Sequence, residues 1–314
     1  MATGGSRAIL AAMLANAGIA VAKFVAYLVT GSSSMLAESI HSVADTSNQG
    51  LLLLGGRLAR RDADDIRQFG YGRERYFWAF VVALVLFALG GLFSIYEGIE
   101  KIRHPHQLES IGWAIGVLLF AIVAETISFR TAIVESKKVK GDQDWWDFIR
   151  KSRSPELPVV LLEDSGALVG LVLALVGVSL TAGTGDPVWD AIGTLAIGVL
   201  LIVISVVLTV EMRSLLIGES AEQAHVSALV AAAESAPHVT RVIDLRTQHI
   251  GPDELLVAGK VEIDRRMSMA EVSAAINGIE MALRQAVPLK MQIYLEPDLF
   301  DPHHADGDTN VEER

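Results

Sequence analysis

Apolar residues in this chain gather in long blocks, separated by short polar or basic stretches, rather than spreading at the three-and-four spacing of surface helices. A block of about 20 apolar residues is long enough to cross a bilayer as a helix, the form that satisfies its own backbone polar groups there. Six blocks qualify, at 8–30, 35–58, 76–99, 111–129, 157–181 and 188–210. After Arg213 the pattern changes to that of a soluble module. It predicts a helix over 221–235, alternating strands over 239–249 and 255–264 around Gly251-Pro252-Asp253, a helix over 268–286 and a last strand over 290–296. Ser268 is the expected N-cap of the second helix, with Glu271 completing a capping box. The expected architecture is an α-helical membrane bundle of six transmembrane helices over 1–212, an α+β domain of αββαβ order over 213–300, and a disordered tail rich in Asp, His and Glu over 301–314.

Basic residues orient the bundle, because Lys and Arg concentrate in cytoplasmic loops. The second-to-third loop carries Arg60, Arg61, Arg67, Arg73 and Arg75, and the fourth-to-fifth carries Arg130, Lys137, Lys138, Lys140, Arg150, Lys151 and Arg153. The opposite turns hold few charges, so both termini are expected in the cytoplasm. Arg7 alone precedes the first block and no small-residue cleavage site follows, so the block reads as a retained span of a multi-pass plasma (inner) membrane protein. Composition narrows the chemistry further. The chain has no cysteine, which excludes disulfides, thiolate ligands and thiol catalysis. Its net charge of −11 leaves no basic stripe for nucleic acid.

Ionisable residues within the blocks are costly and mark functional candidates. They are Lys23, Glu38, His41, Asp45, Glu125, Glu163, Asp164 and Asp190. His41 and Asp45, four apart, share a helix face and are placed to grip one ion. The structural alternative has His41 in a bundle hydrogen bond and Asp45 paired with Lys23. Asp164 needs a partner, which the His41–Asp45 pair offers. Glu163 points about 100° away from Asp164 and is either a ligand or an orienting or gating residue. Glu125 and Asp190 read as solvated span-end residues. Asn48, one turn beyond Asp45, is placed to orient it, and Gly90-Gly91 would let another helix approach closely.

These features resemble the cation diffusion facilitator family of dimeric metal exporters, over nearly the whole chain. The resemblance rests on six spans, Gly31-Ser32-Ser33-Ser34 before the second, the four-spaced His41–Asp45 pair, an acidic fifth span and the αββαβ domain, which is metallochaperone-like. The stretches Ser39 to Gln49 and Phe69 to Trp78 look most like the branch that contains the mitochondrial zinc transporter. In the family the transported ion sits between two ligands from span two and two from span five. That carries over to His41, Asp45 and Asp164. The fourth position, four residues before Asp164, is Val160, and Glu163, water or Asn48 remain to fill it. The loop site of the family is lost, with Arg67 and Tyr71 at its histidine positions and Asp64 left alone. The C-terminal site is eroded to Ile243, Lys260 and Tyr294, with Glu296 kept; His249, Glu296, His303 and His304 remain as a different set.

The expectation is export of a divalent transition metal, Zn2+ first, by proton antiport and alternating access, since protons compete with metal for His and carboxylates. Iron, cobalt, nickel or manganese are alternative substrates. The bilayer, protons and a second copy of the chain are the implied partners, with no cofactor beyond the transported metal. An intramembrane metal-dependent hydrolase using Glu163 as base and a metal sensor are rival readings, though the hydrolase lacks a His-Glu-x-x-His motif.

Overall fold

The structure, a computed structural model, describes residues 10, 13–14, 16–22, 24–25, 28, 33–105 and 111–300, with backbone alone for 33–41 and 44. The chain divides into two compact units, Met1–Leu216 and Ile217–Arg314.

The first unit is helical: α1 Ser33–Leu58, α2 Glu74–Arg103, α3 Ile111–Lys140, a short α4 Trp145–Lys151, α5 Glu156–Thr184 and α6 Val188–Ile217. Among the described residues, α2, α3, α5 and α6 are long and apolar enough to cross a membrane. The α1 helix has the length, but Asp45, Asn48 and Gln49 interrupt its apolar run. The expected first span lies partly outside the described residues and is helical where it is described.

Outward faces carry the lipid-facing pattern. Val169, Val172, Val176 and Leu180 on α5, and Val199, Val203, Val206 and Val210 on α6, are exposed at three-and-four spacing. Inward faces are closed by small residues. A Cβ at Gly91 would meet Ile202 Cγ1 at 2.6 Å, and one at Gly198 would meet the Ile95 backbone nitrogen at 2.9 Å, so α2 and α6 touch at a distance only glycine allows. At this contact α2 takes a π-helical turn over Leu86–Leu92. Pro158 sits in the first turn of α5, where its missing N–H removes no intrahelical bond.

Two helices run past the expected span ends. α3 continues to Lys140 rather than stopping near Phe129, and α6 to Ile217 rather than Val210. The apolar run ends at Arg130, but helix formation does not require apolarity, and Ala132, Met212 and Leu215 are still buried. Gly141, at φ +59°, follows the end of α3. α4 was not expected: seven residues are too few to show a period, and its start is made by Asp144, which accepts from the Trp146 backbone N–H at 3.2 Å.

The second unit has α7 Gln223–Glu234, β1 Val239–Gly251, β2 Glu254–Ile263, α8 Met269–Ala286 and β3 Lys290–Asp298, the αββαβ order. The sheet order is β1-β2-β3. β1 and β2 form an antiparallel hairpin, and β2 and β3 are parallel with α8 as the crossover. Leu255, Val257 and Val261 of β2 form the core with Leu229 of α7 and Ile279 and Leu283 of α8. The capping box is present: Glu271 accepts from the Ser268 backbone at 2.7 Å, and Ser268 Oγ accepts from the Glu271 N–H at 3.4 Å.

Candidate metal centre

Inside the helical unit the polar residues of three helices converge. Asp164, 1% exposed, accepts a hydrogen bond from Ser128 Oγ of α3 at 2.8 Å. Glu163, also buried, accepts from Asn48 Nδ2 on one oxygen at 3.1 Å and from Gln49 Nε2 on the other at 3.0 Å. The amide of Gln49 also lies 3.5 Å from Asn16 in the first helical segment, a long contact. Asp45, Asp164 and Glu125 are all within electrostatic reach of Glu163. Consecutive residues of α5 therefore turn to different neighbours, as the 100° helical step requires: Asp164 toward α3 and Glu163 toward α1.

Several carboxylates among apolar helices cannot all remain charged without positive charge to share, in the form of protons or a cation. That is the chemical content of the cluster. The structure brings together Asp45, Glu163 and Asp164 of the expected set; the His41 side chain and Lys23 lie outside what it describes. Among the described residues, no three His, Asp or Glu side chains already stand in metal-holding geometry. Val160 lies in the apolar core with Tyr76, Val82 and Leu208 and is 0% exposed, so its place in the fold is that of a packing residue.

Two members of the cluster, Ser128 and Gln49, escaped the sequence reading, and a third, Glu125, was placed differently by it. Glu125 is near the middle of α3 and 4% exposed, where a solvated span end was expected; α3 continues so far past Phe129 that its centre moves. Ser128 and Gln49 are ordinary residues in sequence. Their signal was position: Ser128 is three residues from Glu125, on the same face, and Gln49 adjoins Asn48 in a run that is otherwise apolar beyond it. Asp190 is held in an ion pair with Lys101 Nζ of α2 at 3.0 Å instead of facing water alone. At the other end of the bundle Arg75 forms a two-pronged ion pair with Glu156, one arm at 2.8 Å.

The loop between α1 and α2 is internally satisfied. Asp64 accepts from the Ile66 and Arg67 backbone at 3.0 and 2.6 Å and from the Tyr71 hydroxyl, while the Arg67 guanidinium lies 4.7 Å from the Tyr71 ring. The Tyr71 hydrogen bond, then the Arg67 backbone N–H, hold the Asp64 carboxyl below its ordinary value of 3.8. In the second unit Lys260 Nζ lies 3.7 Å from Asp298 and 4.0 Å from Glu296, a cation already in place beside the retained carboxylate. His249 is buried with Nδ1 3.2 Å from the Gly251 carbonyl. It pairs opposite Leu255, whereas Glu296 pairs opposite Lys260, roughly 17 Å further along β2. His249 and Glu296 are thus not brought together, and His303 and His304 lie outside the described residues.

A bundle of apolar helices with carboxylates sealed in its interior defines an ion-handling membrane protein. The chain belongs to the cation efflux family: the pattern of the cation efflux transmembrane domain matches residues 9–217. This is the cation diffusion facilitator family, one of transporters rather than enzymes. The chain is similar to the mitochondrial proton-coupled zinc antiporter of Mus musculus, 33% identical over 84% of this chain and 47% of that protein. It is similar to metal tolerance protein C4 of Arabidopsis thaliana, 27% identical over 83% of this chain and 58% of that protein. It is also similar to the cation-efflux pump FieF of Salmonella newport, 25% identical over 90% of this chain and 89% of the pump. The chain spans about half the length of the first two of these relatives.

Proposed function

We propose that this chain exports a divalent transition-metal cation, zinc first, in exchange for protons, through a bundle of six spans with both termini in the cytoplasm. The observation that carries the reading is the burial of Glu163 and Asp164 between apolar helices, with the half-buried Asp45 of α1 within electrostatic reach of both. His41 is one turn from Asp45 on α1 and adds the nitrogen donor that suits zinc. In this reading His41, Asp45 and Asp164 hold the ion, with Ser128 fixing Asp164 and Glu163 fixing the α1 side.

Because the ligands must shed protons to bind metal, protons arriving from the far side release the ion, and the returning protonated carrier completes the cycle. The similarity to a proton-coupled zinc antiporter supports this coupling. Iron, cobalt, nickel and manganese remain substrates to be compared. A homodimer is part of the proposal, as is the two-domain division at about residue 212. The host membrane is taken as the plasma or inner membrane; the mitochondrial name of one relative makes the mitochondrial membrane the competing location.

The test is uptake of zinc, manganese, iron and cobalt into sealed proteoliposomes carrying a pH gradient. Zinc flux that rises with the gradient and falls at least about a hundredfold in Asp45→Ala and Asp164→Ala is expected. Flux of another metal reassigns the substrate. Absence of any flux from correctly folded protein rejects the transporter in favour of a sensor.

A further inference from the structure

Asn48 carries an anomaly that the transport reading does not absorb. Its side chain is 1% exposed, and its carbonyl Oδ1 is buried with no hydrogen-bond partner among the described residues. A buried amide oxygen left bare in an apolar bundle is costly. Asn48 Nδ2 donates to Glu163 Oε1 at 3.1 Å, and with Glu163 ionised, turning the amide over would set two acceptors against each other. The second Glu163 oxygen is occupied by Gln49 Nε2 at 3.0 Å. Glu163 is therefore committed on both oxygens to holding α1, and Asn48 is left presenting an oxygen that no described residue uses.

The position of that oxygen is suggestive in a second way. Asn48 lies three residues from Asp45 and seven from His41, which places all three on one face of α1, with Asn48 about 4.5 Å along the axis from Asp45. The α5 position that would otherwise complete the ion's coordination is Val160, packed into the apolar core. One donor is absent from α5 and one unused donor stands on α1.

We propose that Asn48 Oδ1 is the fourth protein donor to the transported cation and that Glu163 is its positioning residue. The proposal rests on the reading of His41, Asp45 and Asp164 as the ion's other ligands. It makes the donor set one imidazole, two carboxylates and one neutral amide oxygen, so two negative charges meet a doubly charged ion. An amide oxygen is a hard donor, and exchanging a second imidazole for it narrows the preference for zinc over oxygen-seeking ions such as manganese. Selectivity of this chain is then set on α1 rather than α5.

The experiment is metal binding by the purified full-length chain in detergent, read by zinc and manganese titration calorimetry and by the visible spectrum of bound Co2+, whose intensity reports coordination geometry. Asn48→Ala is expected to weaken zinc by about tenfold or more and to change the Co2+ bands. Asn48→His is expected to raise the zinc-to-manganese preference. Glu163→Ala is expected to reproduce the Asn48→Ala loss, with no further loss in the double variant, while Glu163→Gln, which still offers Asn48 an acceptor, retains most of the affinity. The Glu163 pair carries the test if Asn48→Ala does not fold, as judged by its elution and thermal unfolding.

Unchanged affinity and Co2+ spectrum in folded Asn48→Ala, alongside loss of binding in Asp45→Ala, overturn the Asn48 assignment and leave the transport site standing; the orphan oxygen then holds a water. Binding that survives Asp45→Ala and Asp164→Ala overturns both, because the site itself is then elsewhere.

Discussion

Carboxylates are treated in opposite ways in the two units of this chain. In the helical unit Glu163 and Asp164 are buried, each hydrogen-bonded to a named neighbour, and among the described residues they lie close to other acids rather than to bases. In the second unit Glu296 and Asp298 are exposed and sit beside Lys260. Water and a lysine dispose of the second pair's charge. No described ion pair does so for the first, and two acids buried side by side in an apolar bundle are costly to keep charged. Among the described residues, two inter-helix ion pairs of the helical unit stand at its ends, Arg75–Glu156 toward one end of the bundle and Lys101–Asp190 toward the other.

The contrast sharpens into measurements. The largest expected effect is on Glu156, whose side chain is 8% exposed: Glu156→Ala leaves the Arg75 guanidinium, 17% exposed, without its two-pronged partner. A destabilisation of about 3 kcal/mol is expected in detergent unfolding, against a much smaller change in Glu156→Ala on an Arg75→Ala background. Equal losses in both backgrounds would show that Glu156 acts through packing instead.

Lys260→Ala in the second unit, where all three partners are substantially exposed, is expected to cost at most about 0.5 kcal/mol and to disappear in high salt. A chelator is expected to leave the unfolding of this unit unchanged. A large loss in Lys260→Ala, or a clear shift with added zinc, breaks the comparison by showing that the second unit too depends on a bound cation.

The smallest effect concerns Asp64 in the α1–α2 loop. Its carboxyl is held below 3.8, first by Tyr71, so the loop's stabilisation is present above pH 3.8 and is lost as pH falls through the depressed value. Tyr71→Phe is expected to bring the Asp64 titration back toward 3.8, followed by carboxyl NMR. An unchanged titration would assign the depression to the Arg67 and Ile66 backbone N–H groups and the Arg67 charge.

Much of the architecture was legible because it depends on local pattern. The apolar blocks mark α2, α3, α5 and α6, the Ser268–Glu271 spacing marks the start of α8, and alternation marks the hairpin of β1 and β2, each through interactions within a few residues. Helix ends were less legible. α3 outran its apolar block by eleven residues, and that shift turned Glu125 from a presumed end residue into a buried central one. The Lys101–Asp190 and Arg75–Glu156 pairs join residues about ninety and eighty positions apart, a range that no periodicity reports.

From the sequence by itself came the membrane-crossing blocks, the change of character after Arg213, and the short list of acids that bilayer energetics make expensive. Tertiary structure alone decided which partner each acid has. Glu163 and Asp164 are neighbours in the chain with nearly the same chemistry, yet one is clamped by two amides of α1 and the other by a serine of α3. Helical geometry makes adjacent side chains diverge, but the packing of α1 and α3 around α5 supplies what they meet, and so gives two neighbouring acids different partners.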